Sequence, residues 1–191
     1  VAVNEALKDN PALANTDPFN APFGVVRPGK FLFTRMPTGM QTVAGVPFRI
    51  LEPPSNAGKG FIVLEGAGAS SRFPREVTIQ VHAPGQRLFL LGNVHGWLPD
   101  DDGAGDWGAV AEYVIHYADG QTQSVPLISH RTADDWASPP DATEVAVGLK
   151  GDPWHLNVLG VRLRASAVEK IVFRDLGTPA APVLVAVTLE K

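Results

Sequence analysis

Four tryptophans are the residues of this sequence that first suggest a chemistry, because each lies in or beside a segment rich in Gly, Pro, Asp or Asn. They are Trp97, Trp107, Trp136 and Trp154. Sugar rings present flat C–H faces that stack on aromatic rings, and large aromatic side chains dominate the energetics of many binding sites. The tryptophans therefore predict a carbohydrate platform in the loops. The alternative is that they close the ends of a hydrophobic core.

Polar residues beside these tryptophans can exchange hydrogen bonds with sugar hydroxyl groups. Those that we predict to do so are Asn93, His95, His130, Arg131 and Asp135. Loops at one end of a β-scaffold commonly carry function. Apart from Trp154, the predicted carbohydrate-binding residues fall in two segments, Asn93 to Trp107 and His130 to Asp141.

Catalytic residue types are present, but no motif joins them. A glycosidase needs two carboxyl groups roughly 5–10 Å apart; the acids that are near in sequence are Asp134, Asp135, Asp141 and Glu144, and Asp100 to Asp102. A lyase needs a base beside a cationic group; the available types are Tyr113, Tyr117, His116, Arg131 and His155. A GxSxG nucleophile elbow is absent. We predict no catalytic residue and keep an enzyme as an alternative.

Metal-binding motifs are also absent. There is no cysteine, and the five histidines show neither the i, i+2 spacing of metal-binding cupins nor an HExxH motif. The acidic segment 100–106 offers carboxylates and carbonyl groups of the kind that bind calcium, although it lacks the distal Glu of an EF-hand. We expect no metal and no cofactor, with a structural calcium ion at 100–106 as a minor hypothesis.

Strands must position these loops, because the hydrophobic period is two over most of the chain. In REVTIQVHA, apolar Val77, Ile79 and Val81 alternate with polar residues, as in a half-buried strand. About ten such segments, QTVAGVPFRIL among them, are separated by Gly, Pro, Asn and Asp, and no long helix is indicated. The pattern predicts an all-β protein, an antiparallel β-sandwich of jelly-roll type with about ten strands.

The segment YVIHYADGQTQSVPL is typical of a β-hairpin. A two-residue turn at Asp119-Gly120 would pair Val114 with Val125. Tyr113, Ile115 and Tyr117 would then lie on the opposite face from Val114, His116 and Val125. Because both faces carry apolar residues, we expect a strand near the centre of its sheet.

Size and charge limit the functional classes. The chain has 191 residues, of which 45% are hydrophobic and 19% charged, and this composition fits one folded domain. We place an N-terminal arm or linker at 1–16 and a single β-sandwich domain at 17–191. A net charge of −4 without basic runs argues against nucleic-acid binding. No apolar run approaches the ~20 residues that span a bilayer, so no membrane insertion is expected.

Five segments together resemble the jelly-roll accessory domains of bacterial carbohydrate-active enzymes, of the galactose-binding-like or carbohydrate-binding-module type. These are PTGMQTVAGVPFRILEP (Pro37 to Pro53), GFIVL (Gly60 to Leu64), VAEYVIHYADGQTQSVPLI (Val110 to Ile128), ADDW (Ala133 to Trp136) and VEKIVFRDLGTPAAPVLVAVTLE (Val168 to Glu190). The resemblance implies a polysaccharide or glycan partner and an attached catalytic domain. It assigns no binding residue, because these motifs are structural.

The sequence thus predicts a non-catalytic carbohydrate-binding module, secreted or located in the periplasm or at the cell surface. Two alternatives stay open. One is a jelly-roll polysaccharide lyase or glycoside hydrolase. The other is a structural domain that packs against a neighbouring catalytic domain through an exposed apolar patch.

Overall fold

The computed structural model describes residues 36–51, 60–66, 73–95, 108–151 and 154–191. These residues form eleven strands and no helix: β1 (Gly39–Val43), β2 (Val46–Ile50), β3 (Ile62–Val63), β4 (Glu76–Ala83), β5 (Arg87–His95), β6 (Ala109–Tyr117), β7 (Thr122–Ile128), β8 (Ala146–Lys150), β9 (His155–Arg162), β10 (Val168–Asp175) and β11 (Ala181–Glu190). The predicted all-β class is confirmed. Over the described ranges we find no helix with the length and apolar composition of a membrane crossing. The predicted N-terminal arm lies outside these ranges.

The strands form two main antiparallel sheets, as expected of a β-sandwich. One sheet has four strands in the order β4-β10-β6-β7, and the other has five in the order β3-β11-β5-β9-β8. The successive strands β4, β5 and β6 alternate between the two sheets, as do β9, β10 and β11. Such crossings are typical of Greek-key and jelly-roll sandwiches. They bring the ends of strands that are distant in sequence to the same end of the domain.

The main hydrophobic core lies between the two sheets. It contains the alternate residues that the strand pattern predicted, among them Val77 and Ile79 of β4. Near its centre Tyr113 of β6 stacks on Phe173 of β10, with 4.4 Å between the ring centroids. Aromatic pairs of this kind add about 0.5–1.5 kcal/mol beyond the area that they bury.

A second core lies on the outer face of the five-stranded sheet. The β1–β2 hairpin covers this face and contributes Val43, Phe48 and Ile50 to the cluster. This cover explains why β11 is buried along nearly all of its length, on both faces. The sequence predicted one strand in QTVAGVPFRIL, and this was wrong. The chain turns at Ala44-Gly45, both at positive φ, and Val43 pairs with Val46.

The β6–β7 hairpin has the predicted place but not the predicted register. β6 lies inside its sheet, between β10 and β7, and Tyr113 and Ile115 face the core. The loop has three residues, Ala118 to Gly120, and Gly120 takes a φ of 81°. Tyr113 therefore pairs with Val125, and Val125 packs on the core side instead of the outer side. The register differs because the Asp119 carboxylate accepts the Gln121 N–H at 3.0 Å, which stabilises the longer turn.

Candidate functional site

Two of the predicted stacking residues are part of the second core. Trp136 is 2% exposed and Trp154 is 4% exposed, and both pack with the hairpin and the five-stranded sheet. Both side chains therefore pack inside the protein, and their stacking on a sugar stays a prediction. The other two, Trp97 and Trp107, and the acidic segment 100–106 lie outside the described residues.

A buried carboxylate, Asp134, organises the end of the sandwich where the β7–β8 loop crosses β5 and β9. Its Oδ1 accepts hydrogen bonds from Asn93 Nδ2 at 2.7 Å, Asn157 Nδ2 at 2.7 Å and His155 Nε2 at 2.8 Å. Its Oδ2 accepts the backbone N–H groups of Asp141 at 2.8 Å and Ala142 at 3.0 Å. Asp134, Asn93, His155 and Asn157 are each at most 3% exposed. One carboxylate thus joins β5, β9 and both ends of a loop.

These hydrogen bonds decide the charge of Asp134. Burial by itself raises the pKa of this carboxyl, but the bonds from His155, from the N–H groups of Ala142 and Asp141 and from Asn93 outweigh it. The pKa of Asp134 therefore lies well below its usual range, and the group stays ionised. A buried charge is tolerated only when it is paired and hydrogen-bonded, and this one is bonded through both oxygens.

Asn93 has a different role from the predicted one. Its Oδ1 accepts the Asp134 backbone N–H at 3.0 Å, and its Nδ2 is bonded to the Asp134 carboxylate. Both ends of the amide are therefore used inside the protein, away from any ligand in solvent. The structure thus places Asn93 in the Asp134 network, and a bond from it to a sugar hydroxyl stays a prediction.

The remaining predicted polar residues lie in or near the same loops. His130 Nδ1 is 2.6 Å from Asp141 Oδ2, and Arg131 donates two hydrogen bonds to Glu144 Oε1, at 2.9 and 2.7 Å. Asp135 accepts the Ala137 N–H at 2.7 Å. These contacts stabilise the β7–β8 loop. His95 is the last residue of β5, where it pairs with Ala181.

An open depression of about 290 Å³ lies beside this network, between the β7–β8 loop and the start of β9. It is lined by Ala137, Ser138, Pro139, Pro140, Lys150, Gly151, Trp154 and His155. Of the predicted carbohydrate-binding residues that the structure describes, Trp154 alone lines it. Its indole packs against Gly151, where a Cβ atom would come within 2.2 Å of the ring. The walls combine proline rings, one lysine and the buried histidine.

His155 and Lys150 are not among the predicted carbohydrate-binding residues, and His155 was named only as a residue type that a lyase could use. β9 begins HLNVL, and His155 and Asn157 are the two polar side chains in an otherwise apolar stretch. Polar residues on a buried strand need partners. This pattern was a usable signal that β9 belongs to a polar network. The partners Asn93 and Asp134 are 62 and 21 residues away, and no spacing rule connects residues so far apart.

Neither a metal site among the described residues nor a match to a known protein helps to assign a function. Among the residues that the structure describes, no group of three or more His, Asp or Glu side chains is placed to hold a metal ion. Comparison of the chain with protein-family models and with curated proteins finds no match.

Proposed function

We propose that this chain is a non-catalytic carbohydrate-binding module, and that a sugar unit of a glycan occupies the depression between the β7–β8 loop and the start of β9. The observation that carries the proposal is the composition of this depression. The apolar rings of Pro139 and Pro140 line it together with the polar side chains of Lys150 and His155. Ligand sites typically join apolar walls with a few well-placed polar groups in this way.

The size of the depression supports a small ligand unit. Its volume of about 290 Å³ is at the lower end of the range for small-molecule pockets, about 300–1,000 Å³. This favours one or two sugar units over a long stretch of polymer. Weak binding at such a site still concentrates an attached enzyme on its polymer. We propose this role for the chain, in a secreted, periplasmic or cell-surface protein that carries a catalytic domain.

The carboxylates of the loop support binding over hydrolysis. Asp134 is saturated by five hydrogen bonds, and Asp141 and Glu144 are paired with His130 and Arg131. Each of these three carboxylates thus has partners within the loop network, whereas a glycosidase needs one carboxyl group free to protonate the leaving group.

A polysaccharide lyase or hydrolase is the second candidate, and one observation favours it. A carboxylate that orients a histidine, as Asp134 orients His155, is an arrangement that also serves general bases.

The third alternative, a structural domain that packs against a neighbouring catalytic domain, predicts an exposed apolar patch. Among the described residues, the exposed large hydrophobic side chains are Met40 and Leu176.

Binding to soluble and insoluble polysaccharides, with product analysis of the same mixtures, tests the proposal. The site variant is Ala137→Trp, which fills the depression from its rim. The control is Ala118→Trp, another exposed alanine, which lies in the turn of the β6–β7 hairpin. We expect binding without products, lost in the first variant and kept in the second. Equal binding by both variants would refute this site, and sugar fragments in the mixture would make the protein an enzyme.

A further inference from the structure

The side chain of His155 is held in one orientation and one tautomer. It is 3% exposed, and its Nε2 lies 2.8 Å from Oδ1 of Asp134. An ionised carboxylate only accepts hydrogen bonds, so the contact requires a proton on Nε2. Asn93 Nδ2, 3.1 Å from the same nitrogen, already donates to that carboxylate. In its neutral form the ring therefore carries its lone pair on Nδ1.

Nδ1 is the ring nitrogen that the fold leaves for a ligand. Within the described part of the chain, the hydrogen bonds of the His155 ring are all made by Nε2. The residue nevertheless lines the depression. A ligand in the depression can therefore donate a hydrogen bond to Nδ1 without displacing a contact of Nε2.

A hydrogen-bond donor lies next to this acceptor. Lys150 ends β8 and is directly opposite His155 in the β8–β9 pair. Side chains of directly opposed residues are neighbours, with Cβ atoms about 4.5–5.5 Å apart. Lys150 also lines the depression, and it forms no ion pair within the described residues. An ammonium group has three donors and no acceptor, so the pair presents one donor and one acceptor side by side.

We propose that His155 and Lys150 recognise two adjacent hydroxyl groups of one sugar ring. One hydroxyl donates to His155 Nδ1, and its neighbour accepts from Lys150 Nζ. A hydroxyl group can do either, so a vicinal diol matches the pair, whereas an isolated hydroxyl satisfies one partner and leaves the other unpaired. Asp134 is the positioning residue, because it holds the imidazole through Nε2. This inference rests on the proposed carbohydrate function, and it names the chemical group that the site recognises.

The most informative substitution is His155→Gln. Its side-chain amide nitrogen replaces Nε2 as a donor to Asp134, so the network is kept, but the Nδ1 acceptor is lost. Lys150→Met keeps the aliphatic stem and removes the ammonium group. Lys170→Met, on β10 of the other sheet, is the matched control.

The probes are the methyl glycosides of glucose, galactose, mannose and xylose, together with the 3-deoxy analogue of each glycoside that binds. The 3-deoxy sugars keep the ring but have no adjacent pair of ring hydroxyls. We expect roughly tenfold weaker binding for His155→Gln and for Lys150→Met, which corresponds to one lost hydrogen bond. The 3-deoxy analogues should bind the wild type as weakly, and Lys170→Met should bind as the wild type does.

A second measurement uses the wild type alone and does not depend on the folding of a variant. In a long-range ¹H–¹⁵N spectrum, the Nδ1 signal of His155 should move on addition of the glycoside, while Nε2 keeps the signature of a protonated nitrogen. An unmoved Nδ1 signal in the presence of a bound sugar would overturn the inference, as would wild-type affinity in His155→Gln. In both cases the proposed function stands, because the sugar still binds. If the wild type binds none of the glycosides and no polysaccharide, the proposed function fails as well.

Discussion

Replacing Asp134 by asparagine should remove most of the stability of the site end of the sandwich. The substitution keeps the shape of the side chain but leaves one acceptor oxygen in place of two. The best orientation keeps this oxygen toward Asn93, Asn157 and His155 and turns the new NH₂ group toward two backbone N–H groups. Two hydrogen bonds to a charged acceptor are then lost, at about 1.5–3 kcal/mol each. We expect the free energy of unfolding at pH 7 to fall by about 3–5 kcal/mol, in the range for breaking a buried charge network.

The pH dependence of this loss provides an independent check. The pKa of Asp134 is depressed in the folded state, so its contribution is fully present above the unfolded value of about 3.9 and declines as the pH falls below it. The decline is at most about 1.4 kcal/mol per pH unit. The difference between wild type and Asp134→Asn should therefore shrink by about 1 kcal/mol between pH 7 and pH 3.

Urea denaturation at both pH values measures these quantities, since the midpoint and slope give the free energy of unfolding. A loss smaller than 1 kcal/mol at pH 7, or an equal difference at pH 3, would refute the assignment of Asp134 as an ionised structural centre.

Three further substitutions test the packing. Gly92→Ala places a Cβ atom 2.3 Å from the Val183 carbonyl oxygen; it should lower the unfolding free energy by about 2 kcal/mol or more, whereas Gly108→Ala, which meets open space, should leave it unchanged in the same urea titration. Ala44→Asn puts an asparagine at a φ of 49°, and we expect a gain of about 0.5–1 kcal/mol, seen as a higher melting temperature; a lower one would contradict this turn geometry. Trp136→Ala should cost about 3–5 kcal/mol and leave glycan affinity unchanged at temperatures where the variant is folded. Weakened binding there would instead return Trp136 to the site.

The alternation of apolar and polar residues was sufficient to predict the two-layer core. Val77 and Ile79 face inward as predicted, because a half-buried strand has a period of two that is visible in a short segment. The pattern could not reveal the third layer, which is the β1–β2 hairpin on the outer face of the five-stranded sheet. The Ala44-Gly45 turn was missed because alanine is an uncommon residue at positive φ. Without this hairpin, a buried Trp136 could not be told from an exposed one.

The candidate site was harder to predict, because its residues come from distant parts of the chain. Asn93, Asp134 and His155 meet through the crossing connections of the sandwich. Sequence spacing relates each of them only to its neighbours along the chain. The position of Asn93 near a loop suggested that it faces a ligand, whereas the fold uses it with Asp134 to anchor the β7–β8 loop. Whether a polar side chain stabilises the fold or faces a ligand depends on strand register and on burial. Neither can be derived from residue spacing in a single sequence.

The most direct test of the central claim is to map the bound glycan on the folded protein by amide chemical-shift perturbation. Using the polysaccharide or oligosaccharide that binds best, we predict shifts confined to the amides around the depression, among them Ala137, Ser138, Lys150, Gly151 and His155. Shifts confined to the outer face of the β4-β10-β6-β7 sheet would contradict the proposed site. The absence of any shift with every glycan tested would contradict carbohydrate binding itself.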